Sequence, residues 1–126
     1  MRAVTHRYFA CLDAEHWTDF GTLWTEDASV RAVGARPRDG REAIVAFYAK
    51  LFTPWVEHED RPVRLVVCEA DQVVTAEVRF SGLTADGRRV GFDAVDVIDF
   101  SGDRISRLTN WYDIDYARRS LAGTAA

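Results

Sequence analysis

Apolar positions along this chain change period partway through. Val4, Tyr8, Cys11 and Leu12 recur at i, i+4, i+7 and i+8, which predicts an amphipathic helix over residues 2–15. Phe20, Leu23 and Trp24 follow at helical spacing, with Thr18 and Asp19 as caps of a second, short helix. Residues 29–33 read as a short strand and residues 34–40, with Pro37 inside, as a loop. A third helix starts at Asp39-Gly40-Arg41-Glu42, which fits a capping box: Asp and Glu side chains would satisfy free backbone N–H groups. Ile44, Phe47, Tyr48 and Leu51 give its apolar face, and Thr53-Pro54 ends it, because a residue before proline is pushed out of helical geometry.

From Pro62 onward the period is two. Strands are expected over residues 65–69, 73–83, 88–100 and 104–113. Turns at Ala70-Asp71-Gln72, Ala85-Asp86-Gly87 and Ser101-Gly102-Asp103 link the strands, the second of the Asp-Gly hairpin kind. Helices first and strands afterwards make an α+β order, with three helices packed on one face of a meander that can close a cone.

The strands carry the chemistry. Phe92, Ala94, Asp96, Ile98 and Phe100 share one face of their strand, apolar except for Asp96. A carboxylate there is costly unless paired or protonated, and desolvation raises its pKa. Asp96 is either exposed at an edge or satisfied by a structural partner, or it is a functional acid in a pocket. Ala76, Val78 and Phe80 share a face of the preceding strand, with Glu77 and Arg79 on the other. The last strand puts Leu108, Asn110 and Tyr112 on one side, and Ile105, Thr109 and Trp111 on the opposite one. Together these stripes would line one concave surface holding Asp96, Asn110 and the Tyr112 hydroxyl, the look of a small-molecule site. Tyr8, Trp24 and Tyr48 could join from the helices, although each also reads as ordinary core.

Composition narrows the classes. The 126 residues suffice for one domain, with 48% hydrophobic and 29% charged residues. The net charge of −4, without a basic stripe interleaved with aromatics, argues against nucleic acid. No apolar run approaches a membrane span, and no apolar stretch follows the basic start as in a secretory signal, so a cytoplasmic protein is expected. Cys11 and Cys68 belong to no metal-ligand cluster and read as buried thiols, and no metal or cofactor is expected. His58 reads as a solvated loop histidine near the mouth of the pocket, with no histidine on an inward strand position. Val95, Val97, Ile105 and Trp111 suggest an apolar outer face suited to a homodimer.

The chain resembles the NTF2-like α+β cone superfamily, and within it the ketosteroid isomerase and SnoaL-like polyketide cyclase type of small enzyme. The resemblance covers nearly the whole chain. It rests on residues 7–14, on Leu23-Trp24-Thr25-Glu26-Asp27-Ala28-Ser29-Val30, on residues 37–44 leading to Phe47-Tyr48, and on Asp96-Val97-Ile98-Asp99-Phe100 with the final strand. It implies an oxyanion hole in which Tyr8 and a protonated Asp96 donate to a developing enolate oxygen, with Tyr48 hydrogen-bonded to Tyr8. It also implies a general base on the strand after Val30, where this chain has Ala32. The Asn110 position holds an aspartate in epoxide-hydrolase-like relatives, whose matching Arg-x-Asp is absent here. In scytalone-dehydratase-like relatives an asparagine occurs there, with two pocket histidines.

The expected function is therefore cofactor-independent acid–base chemistry on an apolar, oxygenated small molecule: isomerisation, cyclisation or dehydration. Tyr8, Asp96 and Asn110 are the candidate catalytic residues, and Trp24, Tyr48, Val78, Phe80, Leu108 and Tyr112 the candidate binding residues. The alternatives are a small-molecule-binding module without catalysis and an interaction protein using the outer sheet face.

Overall fold

In the computed structural model, which describes residues 1–124, four helices and six strands follow one another. Helix α1 spans Arg2–Ala14 and α2 Trp17–Thr22; strand β1 spans Trp24–Ala32 and β2 Arg38–Asp39. Helix α3 (Arg41–Leu51) precedes β3 (Trp55–Cys68), β4 (Val73–Thr84), β5 (Arg89–Ser101), β6 (Arg104–Tyr112) and helix α4 (Ile114–Ala122). The strands form one sheet in the order β2-β1-β6-β5-β4-β3, antiparallel except for the parallel β1–β6 pair. Helix α1 packs on β3, α3 on β1 and α4 on β5. The core between helices and sheet holds Phe20, Trp24, Ile44, Ile98 and Leu108, all without exposed surface. This is the curved α+β cone expected from the sequence, with its three N-terminal helices on a mostly antiparallel sheet.

Several local expectations change, each for a physical reason. Helix α2 ends at Thr22, and Trp24 already lies on β1, because the Leu23 carbonyl accepts the Ile105 N–H at 2.8 Å and starts the parallel pairing with β6. Strand β1 thus begins five residues earlier than expected. The capping box does not form. Gly40, at φ 94°, caps α3 without any side-chain bond, since its N–H goes to Ala28 O at 2.7 Å and draws Asp39 into β2. Asp39 instead faces Arg31 Nη1 at 3.4 Å. Arg41 fixes α3 to the sheet by donating Nε and Nη2 to Trp24 O at 3.1 and 2.7 Å.

Strand β3 is the largest departure. It runs from Trp55, not from residue 65, and takes in the charged stretch 57–61 and Pro62. It pairs only with β4 and so is an edge strand, where charges and a proline are tolerated. Helix α4 is an element the hydrophobic pattern missed, although Asp113 Oδ1 accepts the Tyr116 N–H at 2.9 Å and Gly123, at φ 81°, closes the helix. Ile105 is also corrected: it is fully buried, not outward. Asp99 pairs with Arg107 and Phe100 with Ile105, so β6 carries one extra residue there and its faces exchange. Cys11 is buried, but Cys68, the last residue of the edge strand, is exposed.

Gly82 on β4 is required by close packing. A Cβ there would sit 2.5 Å from Trp55 Cε3. Gly82→Ala should displace the Trp55 ring and lower stability by about 1–3 kcal/mol, the usual cost of overpacking. Urea unfolding checks this, and an unchanged midpoint would contradict it.

Candidate active site

The cone encloses a cavity of about 310 Å³ between the concave sheet face, α1, α3 and α4. One wall is an aromatic row that crosses four strands. Trp55 lies edge-on to Phe80 at 5.0 Å, Phe80 stacks on Phe92 at 4.7 Å, and Phe92 stacks on Tyr112 at 5.1 Å. The row follows from the register: Phe80 pairs with Phe92, and inward positions two apart share the pleat. Arg88 braces α4 over the cavity, its Nη2 donating to Leu121 O at 3.0 Å and its Nη1 to Ser120 O.

A second row carries polar groups. Ala32, Asn110 and Asp96 are consecutive cross-strand partners on β1, β6 and β5, and all three line the cavity. Asp96 is 5% exposed. Its Oδ1 accepts the Asn110 Nδ2–H at 2.7 Å. Burial pushes the Asp96 carboxyl up to about 6, while the Asn110 hydrogen bond, which stabilises the anion, holds it back. At neutral pH Asp96 is therefore mostly ionised, whereas the resemblance implies a protonated donor. Asn110 orients this carboxylate.

Tyr8 and Tyr48 meet across the helices, and the Tyr8 hydroxyl donates to the Tyr48 hydroxyl at 3.1 Å. Both line the cavity, and burial raises both pKa values well above the phenol range. Each keeps its proton, so the pair uses one O–H between its members and has the other free for a ligand oxygen. Val78, Phe80 and Tyr112 also line the cavity. Trp24 and Leu108 do not: both are fully buried behind its wall. Trp24 packs against Tyr8, Phe20 and Tyr48, as a strand residue beneath the helices must.

The cavity holds one acid that the sequence reading did not single out. Asp60, on β3, lines it as well. Burial drives its carboxyl well above the ordinary range, and the charges of Asp96, Asp13 and Glu59 drive it further. The Asp60 N–H donates to Asp13 Oδ1 at 2.8 Å. His58, two residues earlier on the same strand, is likewise no solvated loop residue. Its side chain is 4% exposed and stacks on Phe52 at 4.1 Å, and its Nε2 lies 3.6 Å from Glu15 Oε2. His58 is an inward strand residue, beside the cavity and not in its lining. The carboxylates of Asp13 and Asp60 and the His58 ring each bring an atom within 4.8 Å of the others.

The outer sheet face carries Val95 and Trp111, cross-strand partners that are 37% and 57% exposed. Glu77 and Arg79 also face outward, bridged to Arg64 at 3.3 Å and Asp93 at 3.0 Å. No described helix is long and apolar enough to cross a membrane.

A cone of this topology around an apolar cavity defines the NTF2-like class. Residues 5–108 match the SnoaL-like domain family, to which the chain belongs. Solved structures share the fold at low identity. A hypothetical protein with ketosteroid isomerase-like fold from Catenulispora acidiphila, in complex with trimethylamine, is 15% identical at TM-score 0.84, covering 95% of this chain and 92% of its own. A proposed SnoaL-like polyketide cyclase from Jannaschia is 15% identical at TM-score 0.84, covering 98% and 91%. An epoxide hydrolase of the LEH-like type from M. tuberculosis is 16% identical at TM-score 0.79, covering 97% and 89%.

Proposed function

We propose that this protein is a cofactor-independent enzyme that moves a proton on a small, apolar, carbonyl-bearing molecule of polyketide- or steroid-like character. The reaction class is enolisation: isomerisation, or a cyclisation or dehydration that passes through an enol. The observation that supports it most is Asp96, a carboxylate at the back of an apolar cavity, oriented by Asn110 and ionising near 6. A base of that strength has its reactive form available at neutral pH and still accepts a proton from carbon next to a carbonyl. It takes over the role that Ala32, two strands away in the same row, cannot fill. The Tyr8–Tyr48 hydroxyl pair polarises the carbonyl oxygen, and the aromatic row holds the hydrocarbon skeleton.

The same Ala32 favours a second reading, a module that binds such molecules without turning them over. One experiment separates the two. 2-Tetralone, a small apolar ketone, is incubated with the protein in deuterated buffer without cofactors, and loss of its α-proton signals is followed by NMR. The enzyme reading expects exchange well above buffer. Saturable binding of the ketone with exchange at the buffer rate would establish the module instead.

A further inference from the structure

We infer that Asp60 is the general acid of this cavity, paired with Asp96 in one coupled proton transfer. The inference rests on the acid–base reading of the site and assigns its second half. Three observations carry it. Asp60 and Asp96 open on the same cavity from different strands, β3 at the sheet edge and β5 within the sheet. The Asp96 carboxylate has a protein partner in Asn110, whereas the Asp60 carboxyl makes no hydrogen bond to any described residue, only its backbone N–H being engaged. A carboxyl without a protein partner at the wall of an apolar cavity is available to a ligand. Finally, most of the groups around Asp60 are acids or hydroxyls: Asp96 on β5, Asp13 on α1, Glu59 beside it, and the hydroxyls of Tyr8, Tyr48 and Tyr112. A His58 ring nitrogen on β3 lies within 4.8 Å of the Asp60 carboxyl without a hydrogen bond to it, and Arg118 on α4 lines the same cavity.

These surroundings divide the labour. Two carboxyls in one enclosed space do not both ionise readily, and the one with a donor to its anion ionises first. Asp96 is that one. Its charge then keeps the proton on Asp60. With a ketone bound, the Asp96 carboxylate takes the α-proton. The C–H electron pair becomes the C=C bond, the carbonyl π pair moves to oxygen, and that oxygen takes the proton of Asp60. The products are the enol, a protonated Asp96 and an ionised Asp60. The two carboxyls together carry one negative charge before and after, so the step leaves the charge of the cavity unchanged. Return of the enol O–H proton to Asp60, with the Asp96 proton delivered to the same carbon, completes an exchange; delivery to a conjugated carbon completes an isomerisation, in either case without any other reactant.

The test compares wild type, Asp60→Asn and Asp96→Asn in 2-tetralone exchange, across pH. Asparagine keeps the size and a donor but has no proton to give. Asp60→Asn should slow exchange by about 100-fold or more, within the usual range for a general acid. It should also abolish the fall in rate on the alkaline side, where wild type loses the Asp60 proton, a change that a merely structural role would not produce. Asp60→Glu should recover part of the rate. Wild-type exchange in Asp60→Asn, with Asp96→Asn still slow, would overturn the assignment of Asp60 and leave the role of Asp96 standing. A second measurement needs no turnover. In protein labelled with 13C at aspartate carboxyls, the Asp60 signal, identified by its absence in Asp60→Asn, should remain protonated at neutral pH in wild type. It should titrate lower in Asp96→Asn. An Asp60 signal already ionised at neutral pH would overturn the proposal whatever the ketone does.

Discussion

Asp96→Asn is expected to slow α-proton exchange by roughly 10²–10⁴-fold, the span over which a positioned proton acceptor contributes. The substitution is nearly isosteric and leaves an amide beside Asn110, so the cavity keeps its shape. What disappears is the one group there that ionises near 6. The Tyr8–Tyr48 pair cannot replace it, because burial keeps both phenols protonated. Asp60 is the other acid of the cavity, and burial together with the Asp96 charge raises its carboxyl well above the ordinary range, which favours its acid form. The effect should fall on kcat, with the ketone's affinity changing little, since the apolar skeleton is held by the aromatic row and not by the carboxylate. NMR-detected exchange at saturating ketone checks this. Rates within a few-fold of wild type would remove Asp96 from the mechanism.

The second large effect is on stability, and its sign is opposite to intuition. Burial raises the Asp96 carboxyl from 3.8 in the unfolded chain to about 6 in the folded one. The native state therefore holds this proton more tightly than the unfolded state does. The resulting stabilisation is complete below the unfolded value and is lost as pH rises through about 6. A shift of this size corresponds to about 3 kcal/mol. Asp60, shifted in the same direction, adds to it. Asp96→Asn has no charge to bury. Relative to wild type, the variant should gain about 3 kcal/mol between acidic and mildly alkaline pH. Urea unfolding of both proteins at the two ends of that window measures it. A stability difference that does not change with pH would mean that Asp96 is not desolvated in the native state. The expected trade of stability for a reactive group is what a buried catalytic base entails.

Much of this architecture is written in local pattern. Helices α1 and α3 follow from apolar residues at three- and four-residue spacing, and the β4–β5 hairpin from alternation on both sides of Asp86-Gly87. Asp96 could be found because it interrupts an otherwise apolar stripe, and Asn110 and Tyr112 because they alternate with outward residues on the last strand. The failures share a cause: tertiary pairing overrode the local signal. Trp24 continues a helical spacing, yet the carbonyl before it is claimed by Ile105 on β6. Asp39 and Glu42 have the spacing of a capping box, yet Gly40 is bonded to β1. Ile105 alternates outward on paper, and one extra residue in β6 returns it to the core.

Asp60 was hidden for a related reason. Strand β3 presents Glu57, Glu59 and Arg61 to one side, and His58, Asp60 and Pro62 to the other. Neither side is apolar, so alternation carries no contrast. Only the curvature of the sheet, which brings its edge strand against α1, turns the second set inward. Helix α4, which closes the cavity, was legible in principle from Asp113 and Gly123, the start and stop signals of a helix. Its strongly polar composition masked it.

If the Asp96 carboxylate is the base of an enclosed acid–base site, its ionisation sets the rate. The deciding measurement is the pH dependence of 2-tetralone exchange in wild type and Asp96→Asn. The wild-type rate should climb through an apparent pKa of about 6, with this limb missing from the variant. A wild-type rate that is flat across that range, or a limb that survives in Asp96→Asn, would contradict it.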